Sequence, residues 1–279
     1  MGITGPTPSR TARTSIATAA MAALLALGAS QAAADEDDAI STDRPDVVES
    51  SNVVGQGVFQ VETSLSHERD RRDGSTSRTL GTPTLLRYGV TDRVEIRAES
   101  DGLLRQRVTQ GGTTTTDRGM ADLSLGAKWR IRGADEATAQ PALALLAHVD
   151  LDSGSRAFRG AGKVPSLRGV AEWELPGDAS AGVMPGIFYG KDDDGGQRYW
   201  GGILAATYSR PLSAATRGFV EIAGQALRSG RHGGNVVTFD TGLVYAINTE
   251  TQLDFSINLG LNRRTPDRTL AIGFSRRFK

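Results

Sequence analysis

From Phe59 to the carboxyl terminus, apolar residues return at every second position in short bouts separated by clusters of Gly, Pro, Asp, Asn, Ser and Thr. The clearest bout is Thr251 to Leu261. Leu253, Phe255, Ile257, Leu259 and Leu261 share one face, and Asp254, Ser256, Asn258 and Gly260 share the other. A period of two marks a strand, because successive side chains leave opposite faces of the backbone. The alternation is longer than most soluble strands need and suits a tilted strand crossing a bilayer, which takes about 9–11 residues.

Twelve such bouts follow a polar lead-in. Their apolar faces begin with Phe59, Val61, Thr63 and Leu65, then Leu86 and Tyr88, then Val94, Ile96 and Ala98. The fourth is very regular, with Leu123, Leu125, Ala127, Trp129 and Ile131 against Asp122, Ser124, Gly126, Lys128 and Arg130. The fifth carries Leu143, Leu145, Ala147, Val149 and Leu151, and the sixth Leu167, Gly169, Ala171, Trp173 and Leu175. A weaker seventh, Ser180 to Gly190, is interrupted by Pro185. Leu204, Ala206 and Tyr208, then Val220 and Ile222, then Val237, Phe239, Leu243, Tyr245 and Ile247 precede the bout described first. Leu270, Ile272, Phe274 and Phe278 complete the set. An even count is what single-chain bacterial barrels have. The expected fold class is all-β, a transmembrane antiparallel up-and-down β-barrel of 12 strands over 57–279.

The connections support this. Thr91-Asp92, Pro176-Gly177-Asp178, Ser213 to Thr216 and Asn248-Thr249 read as tight turns, while 69–77, 106–118, 153–162 and 191–197 read as longer polar loops. Short turns at one rim and long loops at the other are expected of an outer-membrane barrel, with Gly133 to Gln140 a mild exception. Tyr88, Trp129, Trp173, Tyr208, Tyr245 and Phe278 fall on apolar faces near the short-turn ends, and Phe59 begins the first strand on the same face. Together they predict an aromatic girdle at one membrane interface.

The amino terminus sets the compartment. Arg10 and Arg13 precede the apolar run Ile16 to Leu27, and Ala32-Ala33-Ala34 precede an acidic stretch, so 1–34 reads as an export signal peptide. The run is too short for a membrane helix, which needs about 20 apolar residues. Only a closed sheet would then satisfy every backbone group in lipid. A secreted β-sandwich would show the same alternation, but strand length, girdle, even count and signal argue against it. The expected location is the bacterial outer membrane.

Basic and acidic residues balance at 32 each, and removing the signal takes away two arginines and no acid. The slightly acidic remainder excludes nucleic acid as a partner. The chain has no cysteine, so neither disulfides nor thiolate metal sites arise. The expected partners are outer-membrane lipid and lipopolysaccharide, small solutes and the barrel-assembly machinery.

Ser41-Thr42-Asp43-Arg44-Pro45-Asp46-Val47-Val48-Glu49-Ser50, followed by Gly57-Val58-Phe59-Gln60-Val61-Glu62, resembles the opening of the transporter family named for the MetA pathway of phenol degradation. Tyr88 to Arg97, YGVTDRVEIR, looks like that family's second hairpin, and a looser likeness covers the rest of the barrel. The resemblance implies an outer-membrane barrel that passes small solutes, with aromatic or other small organic compounds suggested by the family name alone. One departure is Lys279 after Phe278, since such barrels usually end on an aromatic residue.

If the apolar faces meet lipid, the other faces line a lumen. There stand Arg87, Glu95, Arg97, Asp122, Lys128, Arg130, His148, Asp150, Asp152, Arg168, Glu172, Glu174, Asp240 and Asp254, together with Glu62, Glu99 and Glu221. Such a set must be hydrated or paired, because an unpaired buried charge costs several kcal/mol. Two readings stand side by side: a ladder of cross-strand ion pairs that stiffens the barrel, and a field that orients and selects polar solutes. The lead-in, 35–56, bears Asp43, Arg44 and Pro45 and is expected to tuck into the periplasmic mouth as a plug. The long loops hold Arg105, Arg107, Arg118, Arg156, Arg159, Arg228, Arg231, Arg263 and Arg264, which suit lipopolysaccharide phosphates, anionic solutes or an ordinary solvated rim.

No cofactor, metal or catalytic residue is expected. His148-x-Asp150-x-Asp152 shares a face, but alternate strand residues lie about 6.6 Å apart and would need help to hold a metal. None of His67, His148 and His232 has a serine two positions on, as barrel phospholipases would require, and no G-x-S-x-G elbow occurs. The lead-in is too short for an autotransporter passenger. The alternative to a channel is a non-conducting structural or adhesive barrel.

Overall fold

The computed structural model describes residues 39–192 and 196–279; the expected export signal lies outside them. Twelve antiparallel strands form one sheet. They are β1 (Phe59–Arg72), β2 (Ser75–Gly81 and Thr84–Thr91), β3 (Val94–Ser100 and Leu103–Gln110), β4 (Thr113–Met120 and Ser124–Arg132), β5 (Ala142–Asp150) and β6 (Val164–Leu175). The circuit continues through β7 (Ala179–Lys191), β8 (Arg198–Ser213), β9 (Thr216–Leu227), β10 (Val236–Asn248), β11 (Thr251–Gly260) and β12 (Arg268–Phe278). β12 pairs back onto β1 from Phe59↔Phe278 to Arg69↔Arg268, which closes the barrel and leaves no edge in the wall. Among the described residues no helix is long and apolar enough to cross a membrane.

Two of the expected loops are strand. β1 and β2 stay paired to Arg72↔Ser75 around Asp73-Gly74, and β3 and β4 to Gln110↔Thr113 around Gly111-Gly112. All four turn residues have positive φ, from 49° to 82°, as two-residue hairpins matched to the sheet's twist require. Arg105, Arg107 and Arg118 therefore lie on strands rather than loops. β2, β3 and β4 break near Thr82-Pro83, Asp101-Gly102 and Ala121 to Leu123. Beyond the breaks their outer segments and the end of β1 form a flap, in which the outer segment of β4 pairs with β3 alone.

The outward faces carry the apolar residues that the alternation assigned there, many of them exposed, such as Leu65, Ile96, Leu125, Ile222 and Ile272. The inward faces are of two kinds. On β1 to β4 they are charged. On β5 to β9 they carry Ala144, Leu146, Val170, Met184, Ile203, Ala205 and Ala223, which pack around Val48 of the lead-in. His148, Arg168, Glu172 and Glu221 project inward from these strands as well, so this part of the wall is mixed, an apolar patch set among charged side chains. Ala142 to Val149 is almost wholly apolar on both faces; the parity that sets Leu143, Leu145, Ala147 and Val149 outward puts Leu146 inward, where it is fully buried.

Asp122 sits in the break of β4, where its carboxylate accepts the N–H groups of Gly154 (2.7 Å) and Gly160 (2.8 Å) and so holds the loop after β5. Hydrogen bonds to a charged group contribute about 1.5–3 kcal/mol each. Asp122→Ala is expected to speed tryptic cleavage at Arg156 or Arg159 by about tenfold or more, with the heat-modifiable migration of the folded barrel unchanged. Equal cleavage rates would show that the loop is held by other contacts.

Candidate functional site

The interior is occupied by the lead-in. Ile40 N–H donates to Thr249 O in the β10–β11 turn (2.8 Å), and Gly57 N–H donates to Gly89 O beside the β2–β3 turn (2.9 Å). The segment therefore enters and leaves at the short-turn rim. At the exit the chains approach so closely that a Cβ on Gly89 would lie 1.5 Å from Gly55 O, so only glycine fits.

Between these points the segment has no ladder of its own, and strand carboxylates satisfy its backbone. Asp43 and Arg44 N–H donate to Glu62 of β1 (2.9 and 3.1 Å). Val47 and Val48 N–H donate to the two oxygens of Glu221 on β9 (2.8 and 2.7 Å). Ser51 gives its N–H and its hydroxyl to Glu172 of β6, and Val54 N–H donates to Glu95 of β3 (3.0 Å). Arg87 donates to the carbonyls of Ser41 and Asn52, and Lys128 to that of Ser50. A buried backbone group without a partner costs about as much as a lost hydrogen bond. Glu62, Glu95, Glu172 and Glu221 remove that cost at four points around the wall.

Charge completes the fit. Arg87 binds Glu95 with two nitrogens (2.9 and 3.0 Å) and Glu62 with a third (3.0 Å). Lys128 Nζ lies 2.8 and 2.7 Å from the two Asp43 oxygens. Arg97 Nη1 lies 2.9 Å from Asp43 and against Glu49, and Arg168 bonds Glu49 at 2.8 Å. On the wall, Arg87, Arg97, Lys128 and Arg168 have Glu62 and Glu95 in contact, with Glu99 near Arg97 and Arg168. Asp43 and Glu49 add two further negative charges from the lead-in. Arg87, Lys128, Glu62 and Glu95 have essentially no solvent contact.

Two lead-in carboxyls are shifted in opposite directions. Burial pushes Asp43 upward, but the charges of Arg87, Lys128 and Arg97 outweigh it and hold the carboxyl well below the usual range. Burial pushes half-buried Asp46 well upward, and the Glu221 carboxylate adds to the shift. The first residue favours a charged, seated segment and the second a protonated one.

The other expected lumen residues divide. Asp240 is buried beside its register partner Glu221, and Asp254 is buried on β11 near Glu62 and Arg44. Asp240 accepts the Thr238 hydroxyl (2.9 Å), and Asp254 stands where a Cβ on Gly273 would touch it. His148 does not share a cluster with its sequence neighbours. It lies 3.2 Å from Glu99 of β3, above Gly126, while Asp150 ends β5 half-buried and Asp152 is exposed in the loop. Among the described residues no group of three His, Asp or Glu side chains is placed to hold a metal. Arg130 is half-buried near the short-turn rim, and Glu174 is exposed there. Sequence reasoning missed Gln60, which bridges Ser41 O and Glu62, and Glu49; only their place in the stretches 41–50 and 57–62 that carry the family resemblance pointed to them.

Phe59, Tyr88, Trp129, Tyr208 and Phe278 are exposed on the outer face, and Trp173 and Tyr245 are half-buried on it. Phe59 stacks on Phe278 with ring centroids 6.1 Å apart. A second pair, Tyr189 and Trp200 (4.9 Å), lies on the outer face near the loop rim. Trp200 precedes Tyr208 by eight positions on β8. At about 3.4 Å per residue and a tilt of roughly 40°, that is about 21 Å along the barrel axis, close to an apolar band of ~25 Å.

A closed twelve-stranded wall with an apolar outer face and a filled polar interior defines an outer-membrane β-barrel. Residues 42–278 match the family model described as "Putative MetA-pathway of phenol degradation", and the chain belongs to that family. Among solved structures it is similar to an outer membrane channel from Pseudomonas putida F1, at 14% identity and a TM-score of 0.60, covering 84% of this chain and 99% of that one. It is also similar to the β domain of the Bordetella autotransporter BrkA, at 15% identity and a TM-score of 0.52, covering 78% of this chain and 98% of that one. At these identities the likeness is one of fold. A comparison with curated proteins finds no match.

Removing one partner from a buried ion network costs about 3–5 kcal/mol. Asp43→Ala is therefore expected to speed amide hydrogen exchange over 41–54 by about a hundredfold or more, with strand exchange unchanged. An unchanged rate would show that the cations do not hold the segment. The pH dependence has a definite sign. The Asp43 contribution is present above its released value of ~3.9 and lost as pH falls through its lower seated value. The Asp46 contribution is full below ~3.9 and lost as pH rises through its higher seated value. Corrected for intrinsic rates, exchange over 41–54 should thus quicken from pH 5 to pH 8, and Asp46→Asn should flatten that rise.

Proposed function

We propose that this barrel passes small solutes across the outer membrane and that its amino-terminal segment is a displaceable plug. The observation that carries this reading is how the segment is held. Side chains and ion pairs hold it, not sheet pairing, so it can leave while every wall ladder stays intact. Once vacated, the interior would present cations on β2, β3, β4 and β6 opposite Glu221, Asp240 and Asp254 on β9 to β11, a transverse field that orients polar solutes.

The family's name connects it with phenol degradation, and small aromatic or other small organic compounds are the solute class we assign. A wall feature agrees with this. At the loop end of the lumen Tyr199 stacks on His232 (4.2 Å, 6° between planes) and meets Phe188 edge-on (6.1 Å), while Arg228 donates to the Tyr199 hydroxyl (2.8 Å). Aromatic faces beside a guanidinium suit a flat ring with a polar substituent. The outer aromatic residues serve as the membrane anchor, and the barrel-assembly machinery and outer-membrane lipid are its cellular partners. No catalytic role is assigned.

A second reading has its own support. The ion network at Arg87 is sealed from solvent, as in a barrel whose role is structural or adhesive. Single-channel recording of the mature chain in a planar bilayer separates the two. We expect rare, brief openings for the intact chain and discrete ohmic steps after deletion of residues 39–55. Silence in a well-inserted deletion variant would turn the assignment to the structural reading.

A further inference from the structure

The outward face of the flap bears an arginine row that the solute pathway does not use. Arg268 of β12, Arg69 of β1, Arg78 of β2 and Arg107 of β3 are register partners in turn across four adjacent strands. Directly paired antiparallel residues project from the same face, so the four guanidinium groups form a row roughly 14 Å long at ~4.8 Å per strand. Two residues closer to the membrane, Arg105 opposes Arg118 on the same face. Among the described residues no carboxylate pairs with any of these six side chains. Asp267 is taken by Arg71 (3.0 Å). Like charges directly opposite one another destabilise a sheet, so the row calls for an external anion.

Height says where that anion comes from. Arg69 lies ten positions from Phe59, and Arg268 ten from Phe278. That places the row about 26 Å above the aromatic girdle at a tilt of roughly 40°, where an apolar band of ~25 Å ends. Immediately below it, exposed Leu65, Leu80, Leu103 and Met120 line a groove of about 580 Å³, and Arg105 and Arg118 form its upper lip. The face points away from the lumen and stands at the rim opposite the short turns, hence at the outer leaflet.

We propose that this face is a docking site for the phosphorylated glycolipid of the outer leaflet, lipopolysaccharide. Acyl chains occupy the groove, and the lipid A phosphates lie across the arginine row. Guanidinium forks bind phosphate with two parallel hydrogen bonds. A soluble anion would have no use for the apolar groove, and a protein partner would have to reach it through lipid. The proposal rests on the outer-membrane placement and not on conduction.

The test uses the refolded mature chain and native mass spectrometry in detergent, with lipid A carrying both phosphates, dephosphorylated lipid A, phosphatidylglycerol and inorganic phosphate as separate probes. Bisphosphorylated lipid A is expected to give a one-to-one adduct that R78Q/R107Q weakens at least tenfold. R78K/R107K, which keeps the charge and loses the fork, should fall between them. R156Q/R159Q, in the loop after β5, should bind as the parent does. Equal binding by R78Q/R107Q, or adducts of equal strength with phosphatidylglycerol, dephosphorylated lipid A or inorganic phosphate, would overturn the proposal. Heat-modifiable migration of each variant reports folding. Conductance of the same samples tests the channel reading separately, since loss of the lipid adduct should leave conductance unchanged.

Discussion

Arg87, Arg97 and Lys128 converge on the Asp43 carboxylate, and the interior of this barrel depends on that meeting. The cations project from three neighbouring strands into a space that a side-chain core alone would not fill. Buried without partners, each would cost several kcal/mol. The wall supplies only part of the countercharge, through Glu62 and Glu95. Asp43 and Glu49 arrive on a segment that belongs to no strand. The wall and the segment are therefore each incomplete alone, and the completed pair excludes water from the centre.

The same constraint explains the segment's form. An irregular chain inside a barrel has backbone donors with no sheet to receive them, and carboxylates at intervals along its length receive them instead. This arrangement is strong against fluctuation and yet separable from the wall. The apolar patch of the interior acts differently. Val48 packs among small and medium side chains on β5 to β9, and that contact anchors the segment's middle without charge. The segment is thus held by ion pairs on one side and by packing together with the Glu221 and Glu172 carboxylates on the other, so both walls bring titratable groups to it.

The outer face follows the demands of its surroundings in layers. Aromatic residues mark the short-turn interface, aliphatic residues fill most of the band above them, and a row of arginines stands where that band ends. On β12 the outward order is Phe278, Arg276, Phe274, Ile272, Leu270 and Arg268, with Arg276 lying over the Phe278 ring, and on β1 it is Phe59, Val61, Thr63, Leu65, His67 and Arg69. Two neighbouring strands that change character at paired positions define a boundary. The flap extends it outward because β1 to β4 continue beyond the wall.

Strand number, the facing of most side chains and the outer-membrane location were legible in the sequence. Alternate residues on a strand must leave opposite faces, and lipid tolerates only a closed sheet. The T-D-R-P and G-x-F-Q-x-E stretches were legible as motifs, but not as contacts. That Asp43 meets Glu62, or that Val47 meets Glu221 across 174 positions, depends on closure and on the shear between strands, which no local pattern encodes. Where both faces are apolar, as from Ala142 to Val149, parity still sets Leu146 inward, but only the closed wall shows what it packs against there. Where turn residues sit amid polar strands, as at Asp73-Gly74 and Gly111-Gly112, composition suggests loops, and pairing with neighbours makes them hairpins. The sequence by itself thus determined which side of the wall each regular strand residue faces, because that is a property of one strand. The tertiary structure decided which residues meet inside and which arginines align outside, because those depend on register among strands.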